Sequence, residues 1–231
     1  MAIIATPPAT HYPIARYCIE QGILPIVEKP LAAAAAEGAE FFSEWMRGRY
    51  VPVCHTLYGD EVLWMAEHLP LKHISSVRME LSDPYADANG HIDSRYIGLG
   101  GSWLDSAPNA LAPLLLIVPE LEEVSVRHLR DKQSGLPYAS RMDARYHETE
   151  ISIDLSWHKG VNHKQTTIIA DGKQIVLNHS KQTICVDGVT MFAGTNDRLT
   201  QQYANFYKMF PARVPDERTT KYMYDIIYAN L

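Results

Sequence analysis

The sequence predicts a mixed α/β protein: a short parallel α/β part, then a large, mainly antiparallel open β-sheet with packing helices. Three observations carry this. Before residue 73, short apolar runs alternate with helical patterns, as parallel strands joined by helices do. From Val124 onward, long runs such as VSVRHL, TEISIDLSW, KQTTIIA and KQIVLN alternate apolar and polar residues, the period of half-buried strands. Asp171-Gly172 and Asp187-Gly188 stand between such runs and read as tight hairpin turns.

Taken in order, Ala2–Ala5 is an apolar strand that runs into Thr6-Pro7-Pro8. A helix is expected from about Thr10, a plausible N-cap, to Gln21, with Gly22 as its stop. Leu24–Glu28 is the second strand, and LAAAAAEGAEFFSEWMRG reads as a helix with an aromatic face of Phe41, Phe42 and Trp45. VPVCH is a third strand, followed by a helix near Glu61–His68. A long strand over Ile74–Leu81 and a polar loop over Asp83–Leu99 come next. GGSWLDSAPNALAPLLLIVP gives an apolar helix closed by Pro119. QTICVD and VTMF complete the strands, and helices over Asn196–Phe210 and Asp216–Ala229 end the chain. Two domains are expected, residues 1–72 and 73–231.

Composition excludes several classes. With 46% hydrophobic and 21% charged residues the chain has a soluble globular profile. A net charge of −6 without a basic run argues against nucleic-acid partners. No apolar stretch reaches the ~20 residues of a membrane span; Leu111–Val118 is too short and contains Pro113. No basic region precedes the first apolar run, so no signal peptide is expected. Cys18, Cys54 and Cys185 lack metal or disulfide spacing, which suits buried residues in a reducing cytoplasm. The ten histidines form no HxxxH or HExxH pair, so no metal site is expected.

Two stretches carry more. IATPPATHYPIARYCIEQGILPIVEKPLA and GGSWLDSAPNA together resemble the glucose–fructose oxidoreductase / inositol dehydrogenase (Gfo/Idh/MocA) family of NAD(P)-dependent sugar oxidoreductases. The first is similar to that family's ATP…H strand end followed by an EKP motif. The second is similar to its GGGxxxDxxxH segment. The resemblance covers essentially the whole chain. It implies a Rossmann-like first part, a substrate and dimerisation domain after it, NAD or NADP as cofactor, a sugar substrate and a homodimer formed through the large sheet.

Two departures stand beside the match. The family's Gly-rich turn, which cradles the pyrophosphate on a helix N-terminus, has no counterpart; the chain reads as beginning at the family's fourth Rossmann strand. Asn109 stands where the family usually has His, four residues after Asp105. An amide cannot shuttle a proton near neutral pH as imidazole does. The Asp-x-x-x-Asn version resembles the aldose 1-dehydrogenase branch, which oxidises sugars at C1 to lactones.

The resemblance implies catalytic roles for Lys29, Asp105 and Asn109. Lys29, at a parallel strand's carboxyl end, is expected to be a base with a pKa lowered by partial desolvation. Asp105 tunes it or accepts the proton, and Asn109 binds sugar hydroxyls. Thr6, Pro7, His11, Glu28, Lys29 and Pro30 are the expected cofactor-binding residues, with Thr6-Pro7 at the edge of the nicotinamide ribose. His55 fits a family position near the same site, and Trp103, Tyr85 and Tyr96 are candidates for stacking on a sugar. The plainer alternative is that Lys29 is a solvated strand-end lysine, that the aromatics simply pack, and that Ser106 with Pro108 caps a helix start. Three functions stay open: a sugar dehydrogenase with part of its cofactor domain missing, a sugar-binding or oligomerisation protein without redox chemistry, and one chain of a split dehydrogenase.

Overall fold

The computed structural model describes residues 1–194, 197–212 and 214–231. A small parallel sheet comes first, ordered β1 (Ala2–Ile4), β2 (Pro25–Glu28), β3 (Val51–Val53). All four residues of β2 are buried, as befits a strand covered on both faces. Helix α1 (His11–Glu20) joins β1 to β2 and stops before Gly22 at φ +71°, a left-handed turn that glycine takes without cost. Thr10 stands at its N-cap position, but its hydroxyl donates to Pro7 O and Thr6 Oγ1 and caps nothing.

The Ala-rich run makes a shorter helix than its composition suggests. Helix α2 covers only Ala35–Glu40. Gly38 sits there against Tyr228, whose ring approaches a hypothetical Cβ to 2.1 Å, and the two residues that follow the helix, Phe41 and Phe42, are both buried. The chain turns there instead of continuing as a helix. Helix α3 (Asp60–His68) follows.

The second sheet has eight strands in the order β11-β10-β9-β8-β4-β7-β6-β5. Their ranges are β4 (Ile74–Ser82), β5 (Glu122–Arg130), β6 (Pro137–Tyr146), β7 (Thr149–Ser156), β8 (His163–Ala170), β9 (Lys173–Asn178), β10 (Thr183–Val186) and β11 (Val189–Ala193). It is mixed rather than wholly antiparallel, because β4 runs parallel to β7 while pairing antiparallel to β8. Both Asp-Gly pairs have positive φ at each residue and close the β8–β9 and β10–β11 hairpins, the type I′ geometry expected of them. Strand β6 has no counterpart in the sequence reading. Its PYASRMDARY carries Ala and Ser where a strand usually shows β-branched residues, and only its paired neighbours reveal it.

Between the sheets runs α4 (Gly101–Ile117), with every residue from Gly101 to Leu115 buried. Helix starts usually need a cap, but this one begins at Gly100 and Gly101, both at positive φ. Ser106 and Pro108 therefore lie inside the helix and do not start it. Helices α5 (Arg198–Met209) and α6 (Glu217–Ala229) complete the chain, each capped by an aspartate, Asp197 and Asp216. Asn196, expected at the start of α5, lies outside the described residues. From α6, Trp103 Nε1 is met by Ile227 O at 2.9 Å, while Tyr224 and Tyr228 hold the backbone of Leu31 and Ala32. That clamp fixes the segment just beyond β2. Among the described residues no helix is long and apolar enough to cross a membrane.

Candidate active site

Three elements converge where the carboxyl ends of the parallel strands meet α4 and one end of the large sheet. Lys29 follows the last residue of β2. Its Nζ donates to Asp105 Oδ1 at 2.7 Å and to Asp105 O at 3.0 Å, with the two side chains only 14% and 9% exposed. Ser106 Oγ donates to the other carboxylate oxygen. Burial by itself lowers the Lys29 ammonium, but the Asp105 carboxylate, with Glu28 and Asp83 behind it, outweighs this and holds it above its ordinary value. The expected lowered lysine is thus corrected: desolvation is real, and a hydrogen-bonded carboxylate more than offsets it.

A second buried pair adjoins the first and was missed in the sequence. Asp83, just past β4, takes the ammonium of Lys164, the second residue of β8, and the Asn162 amide at 2.7 Å. Ser82 is in register with both Ser156 and His163, so the central strand's end delivers Asp83 to Lys164. The two pairs act on each other, Asp83 on Lys29 and Asp105 on Lys164. For Lys164 burial prevails over Asp83, and its pKa is lowered. The sequence holds a weak trace of it, a lysine opening KQTTIIA. Nothing local links that lysine to Asp83.

Asn109 lies one turn beyond Asp105 and is 7% exposed; its Oδ1 is buried and, among the described residues, has no hydrogen-bond partner. His55 donates from Nδ1 to Gln202 Oε1 of α5 at 3.0 Å. Burial, then the cations Lys29, Arg198 and Lys164, push its pKa down to about 4, so it is neutral at physiological pH. Glu28 is buried; Tyr203 Oη and the Lys29 amide donate to its carboxylate, whose pKa is raised chiefly by burial. His11 is 1% exposed, with Nδ1 at 2.8 Å from Pro30 O and Nε2 at 2.6 Å from Thr6 O. It ties the two strand ends together. Thr6 and Pro7 are exposed beyond β1, and Pro30 follows Lys29.

Of the aromatic candidates, Trp103 is buried against α6. Tyr85 and Tyr96 stack with ring centroids 4.1 Å apart, and Tyr85 packs edge-on against Trp157. Tyr85 lies near the acidic half of the site: burial, Asp83 and Asp105 push its hydroxyl up to about 12. A separate apolar cavity of about 330 Å³, lined by Cys54, Leu57, Ala112, Leu115, Thr219 and Met223, includes none of the paired charges. Cys18 and Cys54 are buried and Cys185 half-buried. Among the described residues no His, Cys, Asp and Glu group could hold a metal ion.

The class is set by this layout: a nucleotide-binding type of parallel sheet followed by an open mixed sheet, the two-domain fold of the Gfo/Idh/MocA oxidoreductases. Residues 1–47 match the model of that family, described as an oxidoreductase family with an NAD-binding Rossmann fold. No curated protein matches the chain in sequence. Among solved structures it is similar to UDP-N-acetylglucosamine 3-dehydrogenase GnnA from Acidithiobacillus ferrooxidans, at 14% identity and a TM-score of 0.79 over 99% of this chain and 76% of that one. An inositol dehydrogenase homolog complexed with NAD+ from Azotobacter vinelandii gives 16% and 0.76 over 98% and 73%. Levoglucosan dehydrogenase, in complex with NADH and levoglucosan, gives 18% and 0.73 over 97% and 74%.

Proposed function

We propose that the chain is a Gfo/Idh/MocA sugar oxidoreductase that binds an aldose against Lys29, Asp105 and Asn109 and uses NAD or NADP. The observation that supports this most is the buried Lys29–Asp105 pair with the unpartnered Asn109 Oδ1 one helical turn away. A buried acceptor without a donor costs about 1–3 kcal/mol. A sugar hydroxyl is a donor that removes this cost.

The residues present fit the nicotinamide end of such a cofactor. Thr6-Pro7 and Lys29-Pro30 follow adjacent parallel strands at their carboxyl ends, the usual place for ligands in open α/β sheets. The Thr6-Pro7-Pro8 turn is no phosphate cradle, because Pro7 and Pro8 have no N–H and the Thr10 amide is spent on Pro7 O. Glu28 and His11 support from behind: their polar atoms are taken up by Tyr203, the Lys29 amide, Thr6 O and Pro30 O. Bound there, the nicotinamide supplies the hydride chemistry.

The rest falls to side chains. Lys29 is an ammonium at neutral pH, so it hydrogen-bonds the reacting oxygen as a donor. In oxidation the hydroxyl proton leaves through the Lys29–Asp105 pair, and in reduction the ammonium supplies it. Asn109 orients neighbouring hydroxyls and carries no proton. That division of labour suits oxidation of an aldose at C1 to a lactone. A homodimer formed through the outer face of the large sheet goes with this reading, and sedimentation at low micromolar concentration tests it; a stable monomer there counts against it.

A second reading, sugar binding without redox chemistry, is favoured by one observation. Lys29 is held protonated and already committed to Asp105, which suits a binding cation as well as a catalytic one. Calorimetric titration with NAD+ and NADP+ separates the two. Micromolar cofactor affinity, with aldose oxidation that disappears in Lys29→Ala, supports the oxidoreductase. Aldose binding with no cofactor bound up to millimolar concentration supports the second reading.

A further inference from the structure

We infer that the sugar taken here carries an anionic group, a carboxylate or a phosphate, and that Arg198 binds it. This rests on reading the Lys29–Asp105 site as a sugar site, and it names the class of sugar. The argument begins with α5. Arg198 is its first residue, and Gln202 lies one turn on along the same face. Gln202 is 1% exposed and accepts the His55 hydrogen bond, while Tyr203 beside it reaches Glu28. The first turns of α5 therefore lean on the site, and Arg198 stands at its rim, half-buried. Its charge acts on Lys164 of the second pair and on His55 and Tyr85 beside the pairs.

Among the described residues Arg198 has no hydrogen bond and no ion pair, and the nearby carboxylates are all engaged. Asp83 is taken by Lys164 and Asn162, and Asp105 by Lys29 and Ser106. Glu28 receives Tyr203 and the Lys29 amide; Asp60 receives Asn205. Asp197 is spent on capping α5 through the Thr200 amide. Lys29 and Lys164 each have a carboxylate, and Arg198 has none. A guanidinium offers a planar fork that matches a carboxylate or phosphate through two parallel hydrogen bonds. Half-burial beside two buried ion pairs makes such a pair stronger than one in open solvent. A substrate with a hydroxyl for Asn109 Oδ1 and an anion for Arg198 gives a partner to the unpartnered acceptor and to the unpaired cation of this site.

The test compares D-glucuronate, glucose 6-phosphate and glucose by calorimetric titration of the full chain, in the wild type, Arg198→Gln and Lys29→Met. The two anionic probes separate carboxylate from phosphate. A charge-assisted contact of this kind corresponds to roughly ten- to hundredfold in affinity. The expected result is that one anion binds at least about tenfold tighter than glucose, with a steeper salt dependence. In Arg198→Gln the gap between anion and glucose closes, and Arg198→Lys restores part of it. An anion preference that survives Arg198→Gln, or no preference in the wild type, overturns the inference while glucose binding sensitive to Lys29→Met leaves the sugar site standing. Absence of binding for all three probes overturns both.

Discussion

Asp105→Asn removes one charge from the Lys29 pair and leaves the shape almost unchanged. The side-chain oxygen remains an acceptor, but the field that offsets the burial of Lys29 is gone. Breaking a buried pair by removing one partner costs about 3–5 kcal/mol. Here the low end is expected, because Asp105 O stays 3.0 Å from Nζ and the Glu28 and Asp83 charges persist. About 3 kcal/mol in a chain of this length lowers the melting temperature by roughly 6–12 °C. The sign of the pH dependence distinguishes this account from simple misfit. In the wild type the Lys29 pKa is raised above 10.5, so its stabilisation is complete below that pH and disappears only as pH rises through the folded-state value. In Asp105→Asn burial dominates and the folded-state pKa drops below 10.5. The variant then loses stability as pH falls from 10.5 towards that value and regains it as pH rises. Paired urea unfolding of both proteins at pH 7 and about pH 9.5 reads the difference. A deficit under about 1 kcal/mol at pH 7, or one of equal size at both pH values, refutes the argument.

His55, with a folded-state value of about 4 against 6.5, resists protonation in the fold; stability should fall by roughly 3 kcal/mol as pH drops from 6.5 to 4, and His55→Gln should flatten that slope in acid unfolding curves. Glu61 is fully buried and holds His179 Nδ1 at 2.8 Å, with Thr166 on the other ring nitrogen. Glu61→Ala leaves that imidazole without its acceptor and should cost about 2–4 kcal/mol by thermal unfolding. Gly38→Ala drives a methyl into the Tyr228 ring, so a loss of about 1–3 kcal/mol is expected; an unchanged melting temperature would show that Tyr228 swings aside freely.

What the sequence reveals divides along the range of each interaction. Hairpin turns, the strand-terminated parallel part and the apolar α4 depend on neighbours a few residues away, and they read directly. Strand β6 escaped because its small residues gain their meaning only opposite β5 and β7. Lys29 and Asp105 are 76 residues apart, and only a resemblance to a family template joined them beforehand. No such template marked Asp83 and Lys164, 81 residues apart, so that half of the site came from the fold alone. The direction of the Lys29 shift was misread for the same reason. Burial shows in a strand-end apolar context, whereas the carboxylate that overrides it arrives from another element.

The place of β4 in the middle of its sheet has a bearing on how the protein is made. As the chain leaves the ribosome, β4 is complete at Ser82, yet both strands that flank it come later, β7 from Thr149 and β8 from His163. Its backbone donors and acceptors must wait for roughly another 70 to 90 residues, several seconds at ordinary elongation rates. The large sheet therefore closes late and around an early strand, a high contact order that slows folding. Asp83 meets Lys164 only in that closing step. The charged site cannot exist before the sheet does, and the nascent protein can recognise no ligand there until most of its length has been synthesised.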